Sequence, residues 1–248
     1  MQVINCSNYT AQREWAAIQA AQTIVAQPLT RPTGFLATLG WWFGGRSQAI
    51  QVRNATAAAQ MNEAARFGKG RLCEEAFIRC LAGQLPDSHW IMLHGYQSPG
   101  QRSDIDGVLV GPYGVTIFEV KALSGFFSLK GDTWMYQRSP RSAPSVATAQ
   151  PTQQVIGNLE RVRRFLDKRG LSWVPVQPVV AFCEDKAQVT TPRRQPLTVP
   201  IYRYRTPTLF RPGASIVPFV SLSARSLTEE HVVQVVNVLL GADPSARR

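Results

Sequence analysis

An α/β layered fold is what this chain of 248 residues predicts, on three observations. From Gly70 onward, apolar residues recur first at helical spacing, then in short strand-like runs, then at helical spacing again. Val176 to Cys183 is a continuous apolar run, as a central strand covered on both faces reads. Helix, strand meander, helix, strand and helix in that order pack as layers, and the length suffices for one substantial core or a domain with an appended segment.

Ala11 to Ala26 is rich in Ala and Gln and low in charge, which suits a helix that Pro28 and Pro32 stop. Phe35 to Phe43 is apolar and includes Trp41 and Trp42, but falls well short of the roughly 20 residues a spanning helix needs. It reads as a packing or docking segment, with a membrane-surface contact the lesser alternative. Gln48 to Phe67 reads as a weakly amphipathic helix. Residues 1–66 are therefore expected to form an accessory helical region, 67–242 the principal domain and 243–248 a tail. Within that domain Gly70 to Leu85 repeats apolar residues at helical spacing and ends before Pro86. Strands are expected at His89 to Leu93, Ile105 to Val110 and Val115 to Lys121, with a short pair across the Lys130-Gly131-Asp132 turn. Pro151 suits a first helical turn, and the helix to Gly170 carries Val155, Leu159, Val162 and Leu166 as its buried stripe. Pro192 to Gly213 is rich in Pro and Arg and reads as a loop, followed by a last strand at Ile216 to Leu222. Thr228 caps a final helix to Leu240 that buries Val232, Val233, Val236 and Leu239.

The most informative local feature is the hairpin of the second and third strands. Gly111-Pro112-Tyr113-Gly114 has Pro and Gly where a type I turn prefers them. A turn centred between Pro112 and Tyr113 sets Asp106 opposite Glu119 and Asp104 opposite Lys121, all on one face. Directly opposed side chains have Cβ atoms roughly 4.5–5.5 Å apart, where like charges destabilise a sheet. A divalent cation with oxygen ligands would compensate Asp106 and Glu119, and Lys121 would help to activate a water beside it. The plainer alternative is an Asp104–Lys121 ion pair, with the other two carboxyls at a wet edge or sharing a proton.

The flanking helices bear on that choice. Glu74 shares a stripe with Ile78 and Leu81 and should point inward, whereas Glu75 pairs with Arg79 on the outer face. An inward carboxylate is unusual without a partner; a cap at the surface is the competing reading. Gln154, Asn158 and Arg161 line a stripe beside the buried one, where Gln154 could orient a water or contact a phosphate; a solvated face is the alternative. Arg161, Arg164 and Lys168 make the same helix basic. Arg193, Arg194, Arg203 and Arg205, interleaved with Tyr202 and Tyr204, have the composition of a phosphate-gripping loop with stacking rings.

Lys+Arg number 27 against 16 Asp+Glu, a net charge of +11, which favours a polyanionic partner, nucleic acid or an anionic membrane surface. Cys6, Cys73, Cys80 and Cys183 are scattered without zinc-ligand spacing, so reduced structural thiols in the cytoplasm are expected, and Met1 to Asn5 does not begin a signal peptide. His89, His94 and His231 are dispersed. No nucleophile elbow, Walker or dinucleotide fingerprint occurs, and Gly68-Lys69-Gly70 is too short for a phosphate loop.

Gly70-x-x-x-Glu74, Asp106, Glu119-Val120-Lys121 and Pro151-x-x-Gln154-x-x-x-Asn158, in that order, resemble the nuclease-related domain, NERD, a branch of the PD-(D/E)xK nucleases. The resemblance covers about 67–185. It implies a restriction-endonuclease-like central mixed β-sheet flanked by helices, here with an N-terminal helical extension, and hydrolysis of phosphodiester bonds with Mg²⁺, or Mn²⁺ in its place. By that likeness Asp106 and Glu119 are metal ligands, Lys121 is the catalytic lysine, and Glu74 and Gln154 fill supporting positions. Nucleic acid, DNA in preference, is the implied partner. Two departures stand out: Cys73 replaces the second glycine of the family's first helix, and Asn158 a frequent tyrosine. A binding or docking module that keeps the fold without turnover is the reading from another class.

Overall fold

The computed structural model describes residues 1–6, 9–29, 46–85, 89–98, 104–183, 187–190, 197–204, 215–221 and 227–241. The chain divides into two compact units, Asn8–Leu72 and Met1–Ser7 with Cys73–Arg248. In the first, α1 (Tyr9–Ala26) and the first part of α2 (Arg46–Gln84) are helical. Ala17, Ala21, Ala57 and Ala64 are buried, and Arg71–Glu14 (3.3 Å) and Arg13–Glu63 (3.6 Å) pair between the two helices.

The two helices expected at Gln48–Phe67 and Gly70–Leu85 are one helix of 39 residues. Gly68 and Gly70 do not break it, since an interior glycine costs only about 1 kcal/mol against alanine.

The second unit is built on a six-stranded mixed sheet in the order β1-β2-β3-β4-β8-β10. Its strands are β1 (Gln2–Asn5), β2 (Ile91–Tyr96), β3 (Ile105–Gly111), β4 (Gly114–Lys121), β8 (Val176–Cys183) and β10 (Ile201–Tyr204). β2, β3 and β4 are antiparallel neighbours, whereas β1 joins β2, and β8 joins β4 and β10, in parallel. A smaller sheet, β7-β6-β5-β9, comprises β5 (Gly125–Lys130), β6 (Thr133–Gln137), β7 (Ser145–Val146) and β9 (Ala187–Thr190). The expected hairpin across Gly131 and Asp132 is the β5–β6 pair.

On one face of the large sheet, Val115, Ile117 and Val180 meet Val155, Val162 and Leu166 of α3 (Pro151–Asp167) and Val235 and Leu239 of α5 (Glu229–Leu239). On the other, Phe118, Val120 and Val179 meet Phe77, Cys80 and Leu81 of α2 and Val220 of α4 (Val217–Val220). β4 is thus covered on both faces, with its even and odd residues entering different cores. Thr228 caps α5 as expected, its Oγ1 accepting from His231 N–H at 3.3 Å. Val233, however, is exposed, and Val235 and Val238 take the buried stripe instead.

Three expectations need correction here. The sheet gains an edge strand from the first five residues, which give no periodic signal. The proposed basic loop contains β10, whose Tyr202 and Tyr204 are fully buried against Phe77 with ring centroids 6.2 and 5.4 Å away; they are core residues and do not stack on bases. The strand expected from Ile216 is instead the short helix α4, in which Pro218 sits in the first turn; Leu222 lies outside the described residues, as do the apolar segment Phe35 to Phe43 and the tail.

Candidate active site

The β3–β4 register is the one the turn predicts: Gly111 opposes Gly114, Val110 opposes Val115 and Gly107 opposes Phe118. Backbone pairing ends there, and the carboxylate of Asp106 replaces the next backbone acceptor, its Oδ2 taking a bond from Val120 N–H at 2.6 Å. β2 is irregular at the same level. Gly95 has φ +61°, a left-handed conformation that favours glycine. The sheet therefore loosens where Asp106 sits, so that side chains from both layers can converge on it.

Glu119 extends from β4 toward α3 and is 5% exposed. Lys121 Nζ donates to its Oε1, and Asn158 Nδ2 donates to its Oε2 at 3.3 Å. Both carboxylate oxygens are thereby held by donors from two elements. Asp104, expected opposite Lys121, acts on Glu119 as well, whose pKa it helps to raise.

Glu74, inward-facing as expected, is only 14% exposed at its side chain and lies 3.2 Å from His94 Nε2. The neighbouring Glu75 forms the outer-face pair with Arg79 at 4.0 Å. Cys73, in the position where the family's glycine stands, is buried with Sγ 3.7 Å from Lys121 O and 2.8 Å from Tyr204 Oη. Tyr204 also donates to Cys73 O at 3.0 Å. The larger residue is accommodated by tying α2 to the end of β4 and to β10.

Electrostatics mark this cluster. Burial pushes the Asp106 carboxyl well above the usual carboxylate range; Glu119 and Glu74 push it further, against the ammonium of Lys121 and the Val120 N–H. Glu119 is raised by burial too, partly offset by Lys121, with Glu74 and Asp104 adding to the rise. Burial alone would lower Lys121, but Glu119, Asp106 and Glu74 outweigh it and keep the ammonium charged. Perturbed titrating groups that converge in this way are a signature of functional sites.

Gln154 is exposed in the first turns of α3, one turn before Asn158. The helix start is anchored to β6 through Gln150, whose side chain accepts from Trp134 N–H at 2.9 Å and donates to Ala147 O at 2.8 Å. Asn158 and His94 are the two site residues to which the sequence alone assigns no role. The signal for Asn158 is its place on the Gln154 stripe; His94 offers none, since the strand expected from His89 ends at Leu93, whereas β2 runs from Ile91 to Tyr96.

Of the basic residues, Arg164 is exposed on α3 and Lys168 at its C-cap, while Arg161 is half-buried and donates to Gly157 O at 3.1 Å. Arg203 donates to Val189 O at 2.9 Å and so joins β10 to the smaller sheet. Arg193, Arg194 and Arg205 lie outside the described residues. Among the described residues Cys6, Cys73 and Cys80 are free thiols, no three His, Cys, Asp or Glu side chains form a ready metal cage, and no helix is long and apolar enough to cross a membrane.

The central mixed sheet flanked by helices is consistent with a nuclease-like α/β fold. The family model described as the nuclease-related domain, NERD, matches residues 69–183, so the resemblance carried by the motifs holds over the segment that contains Glu74, Asp106, Glu119, Lys121 and Asn158. No curated protein and no solved structure matches the chain.

Proposed function

We propose that the protein is a divalent-cation-dependent nuclease that hydrolyses phosphodiester bonds of nucleic acid, DNA in preference, at a site made by Asp106, Glu119 and Lys121. One observation carries the reading: Asp106, next after the Gly107–Phe118 pair and bonded to Val120 N–H, and Glu119, bonded to Lys121 and Asn158, meet at a single end of the sheet, where the charge of Glu74 bears on both. Three carboxyl groups crowd one ammonium, and two of them are held against their charged forms by burial and by one another, a cost that a structural role does not need.

The donor set fits a hard cation. Asp106 and Glu119 offer carboxylate oxygens, and Mg²⁺ is commonly held by one or two carboxylates together with water and substrate phosphate. Such an ion, when bound, neutralises charge developing on the phosphate and favours ionisation of the attacking water.

The protein groups have separable tasks. Asn158 fixes the Glu119 carboxylate, and the Val120 N–H fixes that of Asp106. Lys121 stays an ammonium among its carboxylates, so it acts as a donor: to Glu119 at rest, and to the attacking water or a phosphate oxygen once substrate enters. Glu74 adds negative charge from the α2 side. Gln154, exposed one turn before Asn158, is available to contact the substrate, and Arg164 and Lys168 offer charge to its backbone.

Purified protein with Mg²⁺ or Mn²⁺ should cut DNA, or RNA in a parallel reaction, and Glu119→Ala or Lys121→Ala should abolish cutting. Cleavage that survives both substitutions removes the proposed site. Salt-sensitive binding without cleavage under any divalent ion would make the domain a binding module.

A further inference from the structure

Asn5 and His94 are Cα partners in the parallel β1–β2 pair, and the next residue closes the pair, Cys6 N–H donating to His94 O at 2.8 Å. Their side chains continue the contact. His94 Nδ1 lies 3.2 Å from Asn5 Oδ1, and His94 Nε2 lies 3.2 Å from Glu74 Oε2. The imidazole thus bridges the edge strand to a carboxylate whose charge is felt by Asp106, Glu119 and Lys121.

We propose that Asn5, His94 and Glu74 form a positioning chain through which the N-terminal edge strand, outside the matched residues 69–183, sets the Glu74 carboxylate for phosphodiester cleavage. The inference rests on the nuclease reading of the same site.

The chemistry follows from the inventory of donors. An ionised carboxylate only accepts, so Nε2 must carry the proton directed at Glu74. The other ring nitrogen, Nδ1, meets the Asn5 side-chain amide at 3.2 Å, which braces the ring from the strand side. Asn5 thereby orients the ring, and His94 holds one oxygen of Glu74. A glutamate has three side-chain torsions, and one fixed oxygen removes most of their freedom. Partners that orient a site carboxylate or imidazole from behind commonly matter by about 10–100-fold in activity or metal affinity.

Steady-state cleavage by the full chain with Mg²⁺ tests these linked roles. His94→Ala should lower kcat by about 10-fold with KM little changed, whereas His94→Gln, which keeps an N–H for Glu74, should recover most of that loss. Asn5→Ala should fall between wild type and His94→Ala. In a Glu74→Gln background, His94→Ala should add less than about twofold, because residues acting through one another are non-additive. Where His94→Ala fails to fold, His94→Gln and Asn5→Ala in both backgrounds carry the same comparison.

Effects that multiply in the Glu74→Gln background, or a His94→Gln no better than His94→Ala, would overturn the inference. A wild type that cleaves while His94→Ala matches it in kcat removes this inference alone. A wild type that cuts nothing with any divalent ion removes the nuclease reading itself.

Discussion

Asp106→Asn should stabilise the cation-free protein while disabling its site. The aspartate is destabilised by burial and by the charges of Glu119 and Glu74, which together outweigh Lys121 and the Val120 N–H. Asparagine keeps an acceptor for that N–H and sheds the charge. Each unit by which the carboxyl is raised corresponds to about 1.4 kcal/mol, and single stabilising substitutions commonly return roughly 0.5–2 kcal/mol. At roughly 2–4 °C per kcal/mol for a protein of this size, Tm should rise by about 1–8 °C in EDTA at pH 8. The sign fixes the pH dependence. A carboxyl raised in the folded state contributes stability that is full below its unfolded value, about pH 4, and is lost as pH rises through the folded value. The variant does not titrate there, so its advantage should shrink toward zero near pH 4 and widen as pH rises. Saturating Mg²⁺ should reverse the order, because a ligand at 100 times its Kd adds about 2.7 kcal/mol to the wild type alone. Differential scanning calorimetry across pH, with EDTA or Mg²⁺, reads all three. A variant no more stable than wild type at pH 8, or an advantage independent of pH, would refute the charge argument.

Asn158→Ala removes the donor to Glu119 Oε2 and should destabilise the fold by about 1–3 kcal/mol, with a drop in kcat larger than any change in KM; chemical denaturation and steady-state cleavage check it. Tyr204→Phe deletes the hydroxyl that holds Cys73, and should cost about 1 kcal/mol in urea unfolding while leaving substrate affinity unchanged. Arg164→Ala with Lys168→Ala should reduce the slope of log binding constant against log salt by about 0.9 for each duplex phosphate that the two cations neutralise. Arg203→Ala, whose guanidinium is committed to Val189 O, should cost stability and leave that slope unaltered, as fluorescence anisotropy across a salt series will show.

Much of the central layer was legible because the local signals there agree with tertiary structure. Pro112 and Gly114 set the turn, the turn set the register, and the register placed Asp106 beside Glu119. The apolar runs of β4 and β8 and the stripe of α3 read directly. What did not read was governed by packing. β1 is four residues long with a largely exposed pattern, so only its pairing with β2 defines it. Tyr202 and Tyr204 alternate with Arg203, which resembles a basic recognition loop in composition but is the period of a strand burying every second residue. Helix α2 is uniformly mild in amphipathicity, which hid its continuity through Gly68 and Gly70. His94 becomes visible as a site residue only when α2 brings Glu74 to its ring, and Asn158 only when α3 is laid against β4.

The most direct test of the Asp106–Glu119–Lys121 site measures binding and single-turnover cleavage of one labelled DNA duplex on the same preparations, wild type beside Glu119→Gln. Binding can be read in Ca²⁺ and cleavage started with Mg²⁺. The wild type should bind and cut; Glu119→Gln, folded by circular dichroism, should bind with similar affinity and cut at least about 100-fold more slowly, as removal of a group acting mainly in the transition state requires. Undiminished cleavage by Glu119→Gln would contradict the account.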